Sequence, residues 1–324
     1  MKNASVTVVM STFNEERYVD KALDAVANQT IAPHVVVVDG GSSDATVERL
    51  RARAARDPRI HVLSDGRRRS LPEALNLALE YVTDDFVAKI DARTFPFPDF
   101  LEQALAVFAA EGVNVGCVGG RPEQYGESSF GNGVARARMS RFGVGGSGYA
   151  DRRSFADVET VQCGVYRRSA LIQVGAFDPA LQFGEDEELN WRLREAGYRI
   201  VMDTRVRFRY VTRGTWPEAF RQYRNYGRAR ARVVEKHPEF IRPRHVVPSA
   251  AILLGLGLLC ASPVSRSARM AVGTLTVAYV GGALLAAGAA ARDNPKQIPH
   301  TASAFAALHM GYAIGLLEGC IKKA

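Results

Sequence analysis

Cysteine is scarce in this chain. Only Cys117, Cys163, Cys260 and Cys320 occur in 324 residues, with no C-x-x-C pair and no histidine at ligand spacing. That argues against a disulfide framework or a structural zinc site and makes a reducing compartment the expectation. No G-x-G-x-x-G follows a strand-like run, so a dinucleotide fingerprint is disfavoured. A secretory signal is also missing: residues 1–5 are short and polar, and the next apolar run, 6–10, has strand length. The first 245 residues are therefore expected to stay on the side where they are made. Nor is there an acidic excess: 42 Lys and Arg against 34 Asp and Glu leave a net charge of +8, which suits nucleic acid, a phospholipid surface or a phosphorylated substrate. With 47% hydrophobic and 23% charged residues, disordered, collagen-like and coiled-coil classes fall away.

What is present alternates. Short apolar runs at 6–10, 35–38, 60–63, 86–90 and 115–118 are rich in β-branched residues. Between them Tyr18, Val19, Ala22, Leu23 and Val26, then Leu71, Leu75, Ala78, Leu79 and Val82, recur at helical spacing. Strands joined by helices give an α/β fold with a mostly parallel sheet covered on both faces, whose ligands sit beyond the carboxyl ends of the strands. Residues 121–153 break the pattern with interleaved glycines and arginines, and read as a long binding loop holding one short helix. Order resumes over 158–166, with helices expected at 169–174 and from 185 to 196.

Beyond His245 the composition shifts. Residues 246–262 and 270–291 carry no charge, and 301–317 form a weaker third run containing His309. A span needs roughly 20 apolar residues, so the second run qualifies, the first is marginal and the third is weakest. A helical hairpin buried in a soluble core is the alternative. The division expected is a catalytic domain over 1–213, a basic amphipathic segment over 214–245, and a membrane region of two or three helices over 246–324. Basic residues flank the runs almost evenly, so the missing signal is what places the catalytic domain on the cytoplasmic face of the inner membrane.

Three strand or helix ends carry carboxylates. The second apolar run ends in Asp39, followed by Gly-Gly-Ser-Ser43-Asp44-Ala-Thr. Such a residue either builds a turn capped by Ser43 or Asp44, or accepts a hydrogen bond from a nucleobase. Residues 86–90 run straight into Asp91-Ala-Arg93, so two aspartates at the ends of strands in one sheet face one crevice, where Asp91 could ligate a divalent metal or a ribose hydroxyl. Four consecutive acids, 185–188, open a helix; the macrodipole accounts for Glu187 and Glu188, while Glu185 and Asp186 lie where a carboxylate could act as general base.

These motifs together, with Ser11-Thr12-x-Asn14-Glu15 after the first strand, resemble an inverting family 2 glycosyltransferase of GT-A fold. Further similarity at 141–146, 165–168, 174–178 and 221–227 extends to succinoglycan-biosynthesis glucosyltransferases of the ExoA type and covers nearly the whole chain. The resemblance implies that Thr12, Asn14 and Glu15 line a uridine pocket with Ser43 and Asp44 beside it, and that Asp39 pairs the uracil. It makes Asp91 a contact of ribose, diphosphate or metal, Asp186 the base, and Glu185 its neighbour positioning donor or acceptor. Gln222, Tyr223 and Arg224 fall where the family places a basic–aromatic motif near diphosphate and acceptor. The implied partners are a UDP-sugar, UDP-glucose by first guess, and a polyprenyl-pyrophosphate-linked saccharide. The implied cofactor is Mg²⁺ or Mn²⁺.

One position departs from the family. Arg93 stands where an Asp or His ligand is usual, and a guanidinium cannot ligate a metal. Either Arg93 offsets diphosphate charge, or Asp91 and water alone hold the metal, and weakened metal dependence follows. Between Arg192 and Arg244, fourteen arginines and one lysine face five acids, and Trp216, Phe220, Tyr223 and Tyr226 share a helical face. A solvated helix and a nucleic-acid patch are alternatives; an interfacial helix with aromatics toward lipid is the favoured expectation. A nucleotidyltransferase would need a metal pair, and a non-catalytic scaffold would have no use for Glu185 and Asp186.

Overall fold

The computed structural model describes residues 5–144 and 154–321. Gly145, Gly146, Gly148, Arg152, Arg153, Lys322 and Lys323, which figure in the sequence reading, lie outside the described residues. The chain divides into two compact units, residues 1–123 with 152–210 and residues 124–151 with 211–324. The loop region expected at 121–153 therefore belongs in part with the C-terminal helices, and the boundaries differ from a simple catalytic-then-membrane order.

In the first unit an eight-stranded sheet runs β3-β2-β1-β4-β9-β6-β10-β8. Its strands are β1 (Val6–Thr12), β2 (His34–Asp39), β3 (Ile60–Leu63), β4 (Phe86–Lys89), β6 (Val115–Gly119), β8 (Phe155–Asp157), β9 (Val165–Arg167) and β10 (Arg199–Asp203). Strands β1 to β4 and the β6–β10 pair are parallel, while β9 runs antiparallel between β4 and β6, and β8 antiparallel at the edge. The five apolar runs are all strands of this sheet. Two-residue periodicity sends Val6, Val8 and Met10 to one face and Val9 to the other, so two cores form. The first takes α1 (Val19–Ala27), α2 (Thr46–Ala54) and α4 (Phe100–Glu111); the second takes α3 (Leu71–Leu79), α7 (Arg168–Gln173) and α8 (Glu185–Glu195). Helix α3 starts on a Ser70–Glu73 capping box with Pro72 inside its first turn. A smaller sheet pairs β5 (Thr94–Pro96), β11 (Phe208–Val211) and β7 (Pro122–Tyr125).

The second unit is helical. Its elements are α5 (Ser129–Arg138), α6 (Arg141–Val144), α9 (Trp216–Lys236), α10 (Pro243–Ala261), α11 (Arg266–Ala290) and α12 (Ile298–Ile321). Where one short helix was expected within 121–153, a ten-residue helix and a further turn form, because Val134 and Ala137 find an apolar partner in α12. The aromatic face of α9 meets a similar fate. Trp216, Phe220, Tyr223 and Tyr226 join the core around α12 rather than facing lipid. Glycines permit this: a Cβ at Gly315 would come within 1.9 Å of the Arg224 carbonyl oxygen, and one at Gly227 within 2.1 Å of the Tyr312 oxygen.

Candidate active site

Parallel pairing puts Thr12 of β1 directly beside Asp39 of β2 at the carboxyl edge. The loops that follow are stitched to one another. The Asn14 side-chain oxygen accepts from the Ser43 amide at 2.8 Å, the Asn14 amide donates to Ser42 Oγ, and the Glu15 amide donates to Thr46 Oγ1. Asn14 reaches this with φ +52°, a left-handed conformation that asparagine tolerates better than most residues. Asp44 accepts from Thr46 and from the Glu16 amide.

Asp39 is 1% exposed, and its carboxylate is filled from inside. Oδ2 accepts from the Gly41 and Ser42 amides, and Oδ1 from the hydroxyls of Thr12 and Ser42. A carboxylate offers about four acceptor sites, so here Asp39 builds the turn, and a base partner would have to displace one of these donors. Gly41, at φ +85°, lets the turn close over it.

Across the sheet lies a residue that the motif reading passed over. Lys89, the last residue of β4, is 1% exposed, and its Nζ lies 3.1 Å from each of Asp91 Oδ1, Glu185 Oε1 and Asp186 Oδ2. The structure thus brings Asp91, Glu185 and Asp186 together around one ammonium. Glu185 and Asp186 occupy the first turn of α8, which follows Gly184 at φ +79°. Burial works to lower the Lys89 pKa, but the carboxylates of Asp186, Asp91 and Glu185 raise it well above the usual lysine value. One ammonium facing three carboxylates leaves surplus negative charge, and it falls on Asp186. Burial pushes this acid up to about 8 against the pull of Lys89, with Glu185 and Asp91 adding to the rise. Asp186 Oδ1 is buried without a hydrogen-bond partner. Such a carboxylate, poised near neutrality with one lone-pair face unused, has the chemistry of a general base.

The signal for Lys89 was available: a lysine closing a strand buried on both faces must be paired. Cys163 carried no such signal. It takes φ +54° just before β9, its Sγ lies 3.3 Å from Thr94 Oγ1, and burial, then Asp91, pushes its thiol pKa up. The antiparallel course of β9 brings this end of the strand to Lys89, whose amide donates to the Gly164 carbonyl.

Arg93 is committed elsewhere. Its Nε donates to both Glu15 oxygens at 3.1 Å, and the guanidinium lies over the Tyr18 ring at 4.4 Å. A divalent cation fits this donor set poorly. Arg93 offers no lone pair, the point shared by the three carboxylates is held by Lys89, and no cluster of three His, Cys, Asp or Glu suited to a metal occurs among the described residues. Glu188 is structural: Arg192 joins it to the carbonyls of Val174 and Ala176. Gln222, Tyr223 and Arg224 belong to the second unit, on α9. Gln222 bonds Tyr226, Tyr223 is buried, and Arg224 forks onto Glu318 of α12.

Comparison with known proteins agrees with this architecture. The succinoglycan biosynthesis protein ExoA of Rhizobium meliloti is 30% identical over 322 residues, covering 97% of this chain and 94% of that protein. A Methanococcus voltae dolichyl N-acetyl-glucosaminyl phosphate diacetamido-glucuronosyltransferase is 24% identical over 71% of the chain and 74% of its own length. Among solved structures, the Pyrobaculum calidifontis mannosyltransferase PcManGT, in complex with GDP-Man and Mn²⁺, superposes with a TM-score of 0.66 at 20% identity, over 98% of this chain and 88% of that one. TarS of S. aureus with UDP-GlcNAc gives a TM-score of 0.53 at 14% identity, over 98% of this chain and 92% of that one. The fold is of the GT-A type. The family model described as "Glycosyl transferase family 2" matches residues 7–175, just over half of the chain, and this chain belongs to that family as a glycosyltransferase.

Proposed function

We propose that this glycosyltransferase moves a hexose, glucose by first choice, from a UDP-sugar to a polyprenyl-pyrophosphate-linked saccharide at the cytoplasmic face of the inner membrane, in surface polysaccharide synthesis. The observation that carries the reading is the Asp186 carboxylate, one oxygen held by buried Lys89 and the other unpartnered, at the carboxyl edge of the sheet. Succinoglycan biosynthesis, named for the relative matched along nearly the whole chain, supports the polysaccharide assignment. In this reading Asp186 takes the proton of an acceptor hydroxyl, that oxygen attacks the sugar C1, the C1–O bond to the diphosphate breaks, and UDP leaves with inversion. Lys89 fixes Asp186 and screens it from Glu185 and Asp91. The stitched loops of Asn14, Glu15, Ser43 and Asp44 would line the nucleotide pocket, shaped from beneath by Thr12 and Asp39.

Two solved neighbours are Mn²⁺ complexes, which supports cation use in proteins of this fold. The donor set around Asp91 does not match that requirement, and we assign this chain weak metal dependence. Gln222, Tyr223 and Arg224 keep their proposed role on the acceptor side only if Arg224 can leave Glu318. The test is Asp186→Asn: transfer is abolished while UDP still raises the melting temperature of the detergent-purified protein. Loss of UDP binding in that variant refutes the role given to Asp186.

A further inference from the structure

Among the described residues two helices are long and apolar enough to cross a membrane, α11 and the segment containing α12, and α10 contributes a shorter apolar stretch, His245–Ala261. Their surroundings separate them. Helix α12 is the central helix of its unit: Thr301, Ala304, Phe305, Ala307, Leu308, Gly311, Ala313 and Gly315 are buried. It lies parallel to α9 in near backbone contact, since a Cβ at Gly311 would come within 2.5 Å of the Phe220 oxygen and one at Gly319 within 2.5 Å of Ala231 Cβ. Helix α9 carries Arg221, Arg224, Arg228, Arg230 and Arg232 along that stretch, and Arg224 and Arg228 both pair with Glu318 of α12. If α12 crossed the bilayer, α9 and its arginines would have to enter hydrocarbon beside it, which is strongly unfavourable.

Helices α10 and α11 differ. They are joined by the four residues 262–265. Their contacts with α12 lie away from the turn: Ser249 Oγ donates to the Ala313 carbonyl, the Tyr279 hydroxyl lies 3.0 Å from His309 Nδ1, and Ala283 and Ala287 pack among α12 residues. From residue 250 to residue 282, Ala268 alone is buried, and the sole charges are Arg266 and Arg269 at the turn. Leu253, Leu254, Leu256, Leu259, Val277 and Leu285 are half or more exposed. Arg269 Nη1 bonds the Ser262 carbonyl at 2.7 Å, satisfying a helix-end acceptor that would otherwise be orphaned. Clear of those contacts run residues 250–261 of α10 and 266–278 of α11, about 18 and 20 Å at 1.5 Å per residue, long enough to enter a hydrocarbon core of about 30 Å as a hairpin. At the base of the hairpin stand Arg242, Arg292 and Lys296, the charge that anionic headgroups attract.

We infer that α10 and α11 enter an anionic phospholipid bilayer as a hairpin and return, while α12 stays out of the hydrocarbon with α9, so that α12 lies on the face from which α10 entered. This rests on the membrane-bound reading above and deepens it by fixing which helices meet lipid.

Native cysteines report on the geometry. Cys117 and Cys163 are buried, whereas Cys260 sits beside the hairpin turn and Cys320 near the end of α12, both exposed. The experiment expresses the full chain carrying Ser129→Cys, a change at the exposed start of α5, and treats inside-out and right-side-out vesicles with a membrane-impermeant maleimide. Expected is labelling of position 129 and Cys320 from the same side. Cys260 reacts from the opposite side or only after detergent. Labelling of Cys320 from the side opposite position 129 overturns the inference, as does Cys260 reacting from the same side as position 129 in intact vesicles. A second variant, Leu254→Lys with Val277→Lys, should move the chain from the membrane pellet to the supernatant. A parent chain that stays in the supernatant as an oligomer instead assigns the hairpin to a second copy and overturns the inference. UDP binding in detergent, measured in parallel, reads the donor site alone, so failure of the topology and failure of the enzymatic reading remain distinct.

Discussion

Replacing Lys89 by methionine keeps much of the side-chain volume and removes the one positive charge at the focus of three carboxylates. Each acid oxygen is 3.1 Å from Nζ, so these oxygens lie no more than about twice that distance from one another. At an effective dielectric near 20, two unit charges about 6 Å apart repel by roughly 3 kcal/mol. Removing one partner of a buried pair costs about 3–5 kcal/mol, and with three acids left unpaired the upper part of that range is expected at pH 8. The loss must depend on pH. In the variant Asp186, which burial already pushes up to about 8, loses the opposing pull of Lys89, so the penalty is present at high pH and fades as pH falls toward the unfolded value near 4. At pH 4.5 about 1 kcal/mol of lost packing should remain. Thermal unfolding of the first unit, followed at both pH values, should show a drop of roughly 10 °C at pH 8 and a few degrees at pH 4.5. Equal losses at the two pH values, or a variant as stable as the parent at pH 8, would refute the charge argument.

Other outcomes follow from the same geometry. Because Asp186 must be ionised to act as base and its pKa is pushed up to about 8 by burial, transfer should rise with pH and level off above about 8; a flat profile from pH 6 to 9 contradicts this. Transfer should persist in excess EDTA, since Arg93 is paired with Glu15 and Lys89 holds the carboxylates; strict Mn²⁺ dependence would sink that assignment. Asp39→Ala leaves the Gly41 and Ser42 amides without their acceptor, so UDP binding should weaken at least tenfold, about 1.4 kcal/mol, by loss of the turn. Unchanged UDP affinity would show that the loop holds its shape without it. Gly315→Leu should detach α12 from α9 at a cost of about 3 kcal/mol or more, seen as early proteolysis of α9, because its Cβ would overlap the Arg224 carbonyl.

Much of this was legible in the sequence. Strand runs of β-branched residues led to the sheet, and strand-end position made Asp91 conspicuous, as the helix start did Asp186, because both signals are local. What stayed hidden depends on distant partners. Lys89 gains its meaning from residues nearly a hundred positions later, and nothing local in the sequence ties it to Glu185 and Asp186. The aromatic face of α9 has the periodicity of a lipid-facing helix and of a core-facing one alike. Only the glycines of α12 decide between them, by letting a backbone come close enough to cover that face. Asp39 shows the converse: its position suggested a ligand contact, while its four acceptor sites were already filled by neighbours within the two loops.

The second unit is assembled from chain segments made far apart in time. Arg136 of α5 finds Asp293 157 residues later, and α12, which covers Val134 and Ala137, is made later still. At about 5–20 residues per second, α5 waits roughly 10–30 s for its partner, with its apolar side open to chaperones or to mispairing. Cutting the chain at residue 245 to obtain a soluble enzyme would make that wait permanent. The product would keep the sheet and its carboxylates but expose the inner faces of α5 and α9, and it should aggregate. Solubility is better sought by changing the lipid-facing residues of the α10–α11 hairpin and leaving α12 in place.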